Sequence, residues 1–289
     1  MSFRAILYGV EVIFDTPSSS ISLPRFAEYD RSISLSMGTV CMDGVDETVK
    51  ESEMRGVHGR DVRIRVFGKD TRRWLYEVSD VALFGWKEGE RRVYVQIQDE
   101  KYLFWFVHQV LPFYLHMEGI RFFFHAGAVF DGEGAMLFCA PSMGGKSTLT
   151  DRFVAGGFSY ISDDKCAIVD RDDEILCARS HYFRRPYRRF ETLGEYTEGS
   201  VDSFVPLSAL YVMHKVEEME EIGIDRLYGA EKIFSLTPHI LYGGFDKASA
   251  MKFLARISSK VPVYRVSLPW SMERLDEVVS AISHYGSGV

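Results

Sequence analysis

Nine residues constrain this chain more than any others: "APSMGGKST", Ala140 to Thr148. A glycine-rich loop followed by lysine and a hydroxyl residue can hold an anion only between a strand and a helix. There, successive backbone N–H groups and the helix N-terminus converge on the same phosphate. The flanks supply that frame. His125–Phe130 reads as a strand, Asp131–Gly134 as a turn, and Ala135–Cys139 as a second strand. A helix is expected from Lys146 to Ala155, stopped by Gly156 and Gly157. A further strand then runs to Ser162-Asp163-Asp164 and continues extended through Lys165 to Val169. The usual pattern, G-x-x-x-x-G-K-[ST], opens with glycine, and Ala140 stands in its place. Alanine costs little there if its φ stays negative.

The pattern assigns roles. Gly144 and Gly145 give side-chain-free approach to a phosphate, and Ser142, Met143 and Thr148 complete the loop and first helical turn. Lys146 reaches the β- and γ-phosphates, and the Ser147 hydroxyl ligates Mg²⁺. Met143 projects a flexible apolar side chain toward the nucleotide or a substrate. Asp163 and Asp164 are strand-terminal carboxylates, a type that handles magnesium or activates a nucleophile. Neighbours on an extended chain point to opposite sides. One carboxylate is therefore expected to face the γ-phosphate, while the other serves the metal or the scaffold.

Composition narrows the class. The 289 residues are 46% hydrophobic and 26% charged, enough to bury a sizeable core. A formal charge of -7 argues against nucleic acid as the main partner. Cys41, Cys139, Cys166 and Cys177 lack the spacing of a zinc site or a disulfide framework, so buried thiols in a reducing cytoplasm are expected. The N-terminus lacks a signal-peptide pattern. The most membrane-like stretch, Tyr102–Phe124, carries His108, Gln109, Pro112, His116, Glu118 and Arg121, and reads as a buried core helix rather than a membrane span.

Residues 1–100 read as a β-rich region, with Lys87-Glu88-Gly89-Glu90 as a hairpin turn and Met37–Gly59 as polar loop. Residues 101–289 read as one α/β domain with the phosphate loop. Leu207–Val216 and Val261–Pro269 are expected strands, with one or two helices between residues 226 and 258. Ser271 is expected to cap a last helix bearing Leu275, Val278, Val279 and Ile282.

The frame of His125, the APSMGGKST loop, Gly156-Gly157 and Ser162-Asp163-Asp164 resembles the HPr kinase/phosphorylase family. The resemblance spans about residues 105–283 and is strongest over 120–170. It implies a P-loop kinase domain related to the ATP-type phosphoenolpyruvate carboxykinases, using ATP and Mg²⁺ to phosphorylate a hydroxyl, often a serine. It implies Asp163 as the general base and His125 as a residue beside the transferred phosphate, which leaves Asp164 with Ser147 for the metal. It also implies a homo-oligomer. The longer signature of the HPr-phosphorylating enzymes is missing, and residues 1–100 do not resemble their regulatory domain. The acceptor implied is thus a serine of a peptide or protein, as in peptide-modification systems, or a small-molecule alcohol.

"YFRRPYRRFE", residues 181–191 less the leading histidine, packs four arginines among aromatics. Arg184 and Arg185 are the candidates to clamp transition-state charge or an acidic substrate. Two other readings stay open: a nucleotide-gated regulatory module with little or no transfer, kept by Met143 and Ala140, and a carboxykinase-like enzyme. No base-reading motif separates ATP from GTP.

Overall fold

The computed structural model describes residues 3–16, 29–40, 48–68, 70–181, 183–184, 191–196, 201 and 204–286. The chain forms a mixed α/β structure with two large sheets. It divides into two compact units, Met1–Glu118 with His181–Tyr196, and Gly119–Ser180 with Thr197–Val289. The division falls after Glu118, later than the boundary near residue 100 that composition suggests.

The first unit is built on an eight-stranded sheet. Its strands are β1 (Phe3–Leu7), β2 (Val10–Asp15), β3 (Arg31–Met37), β4 (Thr48–Val57), β5 (Arg60–Phe67), β6 (Arg73–Val78), β7 (Ala82–Lys87) and β8 (Arg92–Ile97), in the order β1-β2-β3-β8-β7-β6-β5-β4. Val62, Ile64 and Val66 of β5, and Val93 and Val95 of β8, bury alternate positions, the period-2 pattern of a sheet with one covered face. Tyr8-Gly9 and His58-Gly59 both have positive φ, the conformation of tight two-residue hairpins. β7 and β8 pair antiparallel across the expected turn at Lys87–Glu90. β4 corrects the expectation of loop over Met37–Gly59. Its polar residues pair across the ladder, where Arg63 meets Glu53 at 3.0 Å and Glu51 at 3.3 Å.

A buried helix covers this sheet, in the parts α1 (Tyr102–Trp105), a π-helical turn (Phe106–Val110) and α2 (Leu111–Met117). Pro112 has no N–H to offer the preceding turn, and the wider π turn falls directly before it. Phe113 of α2 meets Trp74 and Trp86 edge-on, and those two rings stack across β6 and β7 at 5.8 Å. The segment from His181 returns to this unit through β14 (Phe183–Arg184) and β15 (Glu195–Tyr196), which pair antiparallel. Glu191 anchors it, accepting from Trp105 Nε1 at 2.6 Å and from Arg60 at 3.3 Å.

The second unit holds β9 (Phe122–Phe130), β10 (Ala135–Cys139), α3 (Lys146–Ala155), β11 (Ser159–Ser162), β12 (Lys165–Arg171), β13 (Glu174–Ala178), β16 (Phe204–Val216), β17 (Gly223–Arg226), α4 (Ala230–Leu236), α5 (Lys247–Lys260), β18 (Val263–Pro269) and α6 (Leu275–Gly286). β9, β10, β16, β13 and β12 pair in a closed circuit. β10, β16 and β18 run parallel, so their C-terminal ends share one edge. One side of this sheet buries Leu137, Leu210 and Val212 with Phe253, Leu254 and Ile257 of α5. The other buries Phe138, Tyr211 and Val266 with Leu149 and Phe153 of α3 and Val278 and Ile282 of α6. Gly127 lets α3 lie close on β9, because a Cβ there would run into Thr150 Oγ1.

Among the described residues, no helix is long and apolar enough to cross a membrane. Cys139, Cys166 and Cys177 are buried free thiols, and Cys41 lies outside the described residues. Burial pushes Cys139 and Cys177 up to about 12. α6 begins at Leu275, not at Ser271. Ser271 N donates instead to Pro269 O, and Trp270 N to Val216 O, which holds these residues at the strand ends.

Candidate functional site

β10 ends at Cys139, the chain crosses residues 140–145, and α3 starts at Lys146. Strand, loop and helix thus occur in the order the motif requires. Gly145 is the α3 N-cap at φ 83°, and no side chain caps the helix or adds an acid to its first turn. The helix N-terminus therefore carries its positive end without an internal anion. Gly144 N donates to Pro141 O at 3.0 Å, which tightens the loop. A Cβ on Gly144 would lie 2.6 Å from Ala140 Cβ and 2.8 Å from Pro141 O, so the loop is closed around a glycine. Met143 has φ 62° and is 90% exposed, turned out of the loop rather than into it.

Lys146 is buried, and its ammonium crosses the loop. Nζ donates to Ala140 O at 2.8 Å and to Pro141 O at 2.9 Å. The positive charge is thereby set at the loop mouth on two carbonyl acceptors. Ser147 is half-buried, while Ser142 and Thr148 are exposed.

The paired carboxylates sit where the strand following α3 is interrupted, between β11 and β12. Both segments pair antiparallel with β9, and a register shift falls between Tyr160 and Ser162. Ala126 N donates to Asp164 O at 3.1 Å, so the break stays stitched to β9. The two side chains sit in the bend between the strands and have different partners. Asp163 is buried and accepts from Tyr160 OH at 3.2 Å. Burial, and then the Asp163 charge, push the Tyr160 hydroxyl well above its ordinary value, so it stays a donor. Asp164 lies between two bases: His125 Nε2 is 3.5 Å from one oxygen and Lys165 Nζ 3.3 Å from the other. His125 and Lys165 face each other across β9 and β12, which is why one carboxylate meets both.

A residue that sequence patterns do not single out also belongs here. His239 ends a short 3₁₀ turn (Thr237–His239), and the next residue, Ile240, bridges to Phe124, the neighbour of His125. Burial, then the charge of Lys146 and then of His214, bring His239 from 6.5 down to about 4. It is neutral at neutral pH. Only the long-range return of the chain to β9 brings it within reach of the Lys146 charge, and no local motif carries that information.

Lys146, Ser147, the loop glycines, His125, Asp163 and Asp164 all belong to the second unit. Arg184 belongs to the first unit, on β14, where burial lowers its pKa against the opposing pull of Glu195. Arg185 lies outside the described residues. Among the described residues, no group of three His, Cys, Asp or Glu side chains is arranged to hold a metal ion.

No family model and no curated protein matches the chain. Among solved structures, the Hpr(Ser) kinase/phosphatase from Coxiella burnetii is similar over 56% of this chain and 89% of that one, at 10% identity and a TM-score of 0.35. At that distance, function is argued from the residues of the site.

Proposed function

We propose that the second unit binds ATP with Mg²⁺ and transfers the γ-phosphoryl group to a hydroxyl, that of a serine in a peptide or protein or of a small-molecule alcohol. The observation that carries this is Lys146 Nζ, held 2.8 Å from Ala140 O across a strand–loop–helix turn whose glycine cannot take a Cβ. A glycine-rich turn that opens a helix is a ready site for a phosphate group.

In this reading the loop amides and the uncapped α3 N-terminus hold the β-phosphate. Lys146 exchanges its carbonyl contacts for phosphate oxygens, a switch between two sets of acceptors for one ammonium. Ser147, with Asp164, would hold Mg²⁺. A hydroxyl and a carboxylate form a hard-oxygen set that suits a metal taking its remaining ligands from phosphates and water. When bound, the metal neutralises charge developing on the transferred group. Asp163, with Tyr160 as its donor, accepts the proton of the acceptor hydroxyl. His125 and Lys165, which contact Asp164, would stand beside the transferred group in this reading, and the Lys165 ammonium would offset phosphate charge.

The test is intact-mass analysis of serine peptides and small alcohols incubated with the full chain, ATP and Mg²⁺. One added phosphate with the wild type, and none with Asp163→Ala, which still binds ATP, is the expected result. Tight ATP binding with no phosphorylated product across the acceptors would instead identify a nucleotide-gated module.

A further inference from the structure

The phosphate-loop motif says nothing about the base of the nucleotide, yet a large aromatic ring stands against the loop. β16 and β18 run parallel to β10, so their last residues arrive beside residues 140–145. Trp270 follows β18, and its backbone N–H donates to Val216 O at 3.2 Å. The ring edge abuts the α3 N-cap: Cζ3 lies 3.2 Å, and Cη2 3.7 Å, from where a Cβ on Gly145 would be. Gly145 has no side chain to displace it. Lys215, at the end of β16, places Nζ 3.2 Å from the ring centroid. An ammonium thus covers one face of the indole, and the loop meets one edge.

Trp270 is nevertheless 54% exposed. Lys215 on one face and the loop on one edge leave the rest of the ring to account for that exposure. An indole ring can stack with another planar ring on an accessible face. The Lys215 cation on the closed face draws on the ring's electron density. A nucleotide whose phosphates rest on the α3 N-terminus carries its base only one sugar away from them.

We infer that Trp270 is the stacking platform for the nucleotide base. This rests on the phosphate-loop reading above and adds the subsite that the loop motif leaves unspecified. Stacking reads the π-face and tolerates different bases, so affinity is gained without hydrogen-bond readout of the base edge.

The experiment titrates Mg-ATP and inorganic tripolyphosphate, separately, into the full chain and into its Trp270→Ala and Trp270→Phe variants. Trp270→Ala is expected to weaken Mg-ATP about tenfold or more while leaving tripolyphosphate within about twofold, and Trp270→Phe to recover most of the loss. Equal weakening of both ligands would make Trp270 a loop-shaping residue and overturn the inference. Unchanged ATP affinity in Trp270→Ala, or no recovery by phenylalanine, would overturn it as well. If wild-type protein bound tripolyphosphate but Trp270→Ala left ATP untouched, only the platform would fail. If it bound neither ligand, the phosphate-loop reading would fail first, and the platform with it.

Discussion

The Cβ of Ala140 lies 2.6 Å from the position a Cβ would take on Gly144. The loop therefore accommodates one methyl group at this crossing, and the chain places it on the first position instead of the fifth. This accounts for the departure from the usual motif: Ala140 keeps a negative φ, and Gly144 yields the space. Gly144→Ala should displace the loop, since Pro141 O at 2.8 Å is backbone and cannot step aside. We expect a loss of about 1–3 kcal/mol in urea unfolding and a fall of at least about tenfold in ATP affinity. Ala140→Gly should keep ATP affinity within about twofold and cost about 0.5–1 kcal/mol through backbone entropy.

The two aspartates separate by their partners. Asp163→Asn keeps the Tyr160 contact but cannot take a proton, so turnover should fall about 10²–10⁴-fold with ATP affinity retained. Asp164→Asn instead removes the carboxylate charge that His125 and the buried Lys165 both approach. That variant should lose about 1–3 kcal/mol of stability, and Lys165→Met in the same chain should restore part of it, as a double-mutant cycle in urea will measure.

His239 links stability to pH. Its folded value, about 4, lies below the 6.5 of the free side chain. Below 6.5 the unfolded chain takes up a proton that the folded site resists, so stability is full above 6.5 and declines as pH falls toward 4. The decline reaches up to about 3 kcal/mol at one pKa unit per 1.4 kcal/mol. Unfolding of wild type and His239→Gln between pH 7 and pH 4 should show a flatter dependence in the variant.

In the first unit, Glu191 is held below its ordinary value: burial raises it, and the hydrogen bonds from Arg60 and Trp105 outweigh that. Glu191→Gln weakens both bonds and removes the nearer of the two carboxylates beside Lys101, leaving Asp99 at 4.0 Å. Amides over residues 191–196 should then exchange faster, by about 1–3 kcal/mol of local protection.

What the sequence disclosed follows from how local each signal is. β10, the loop, α3 and the Asp163-Asp164 break were legible because the motif is contiguous and its glycines serve a local geometric need. β4 was not, because Lys50-Glu51-Ser52-Glu53 is as polar as a loop and becomes a strand only through the arginines of β5 facing it. The start of α6 was misplaced because Ser271 is a good cap by type, whereas backbone bonds to Pro269 and Val216 hold this stretch to the strand ends. The helix over Tyr102–Met117 was recognised as buried, but its membership of the first unit depends on aromatic contacts with Trp74 and Trp86 that no periodicity encodes. Trp270 reaches the loop only through the parallel order of β10, β16 and β18, and His239 comes beside β9 only through the bridge at Ile240, so topology had to come first.

The central claim is that the loop closed by Lys146 is a nucleotide site, and calorimetric titration of Mg-ATP into the full chain and into Lys146→Ala tests it most directly. Saturable one-to-one binding by the wild type, weakened about 100-fold or more in the variant, is the predicted result, since charge-assisted contacts to phosphate are among the strongest hydrogen bonds available. Equal affinity in the two proteins, or no binding by either, would contradict it.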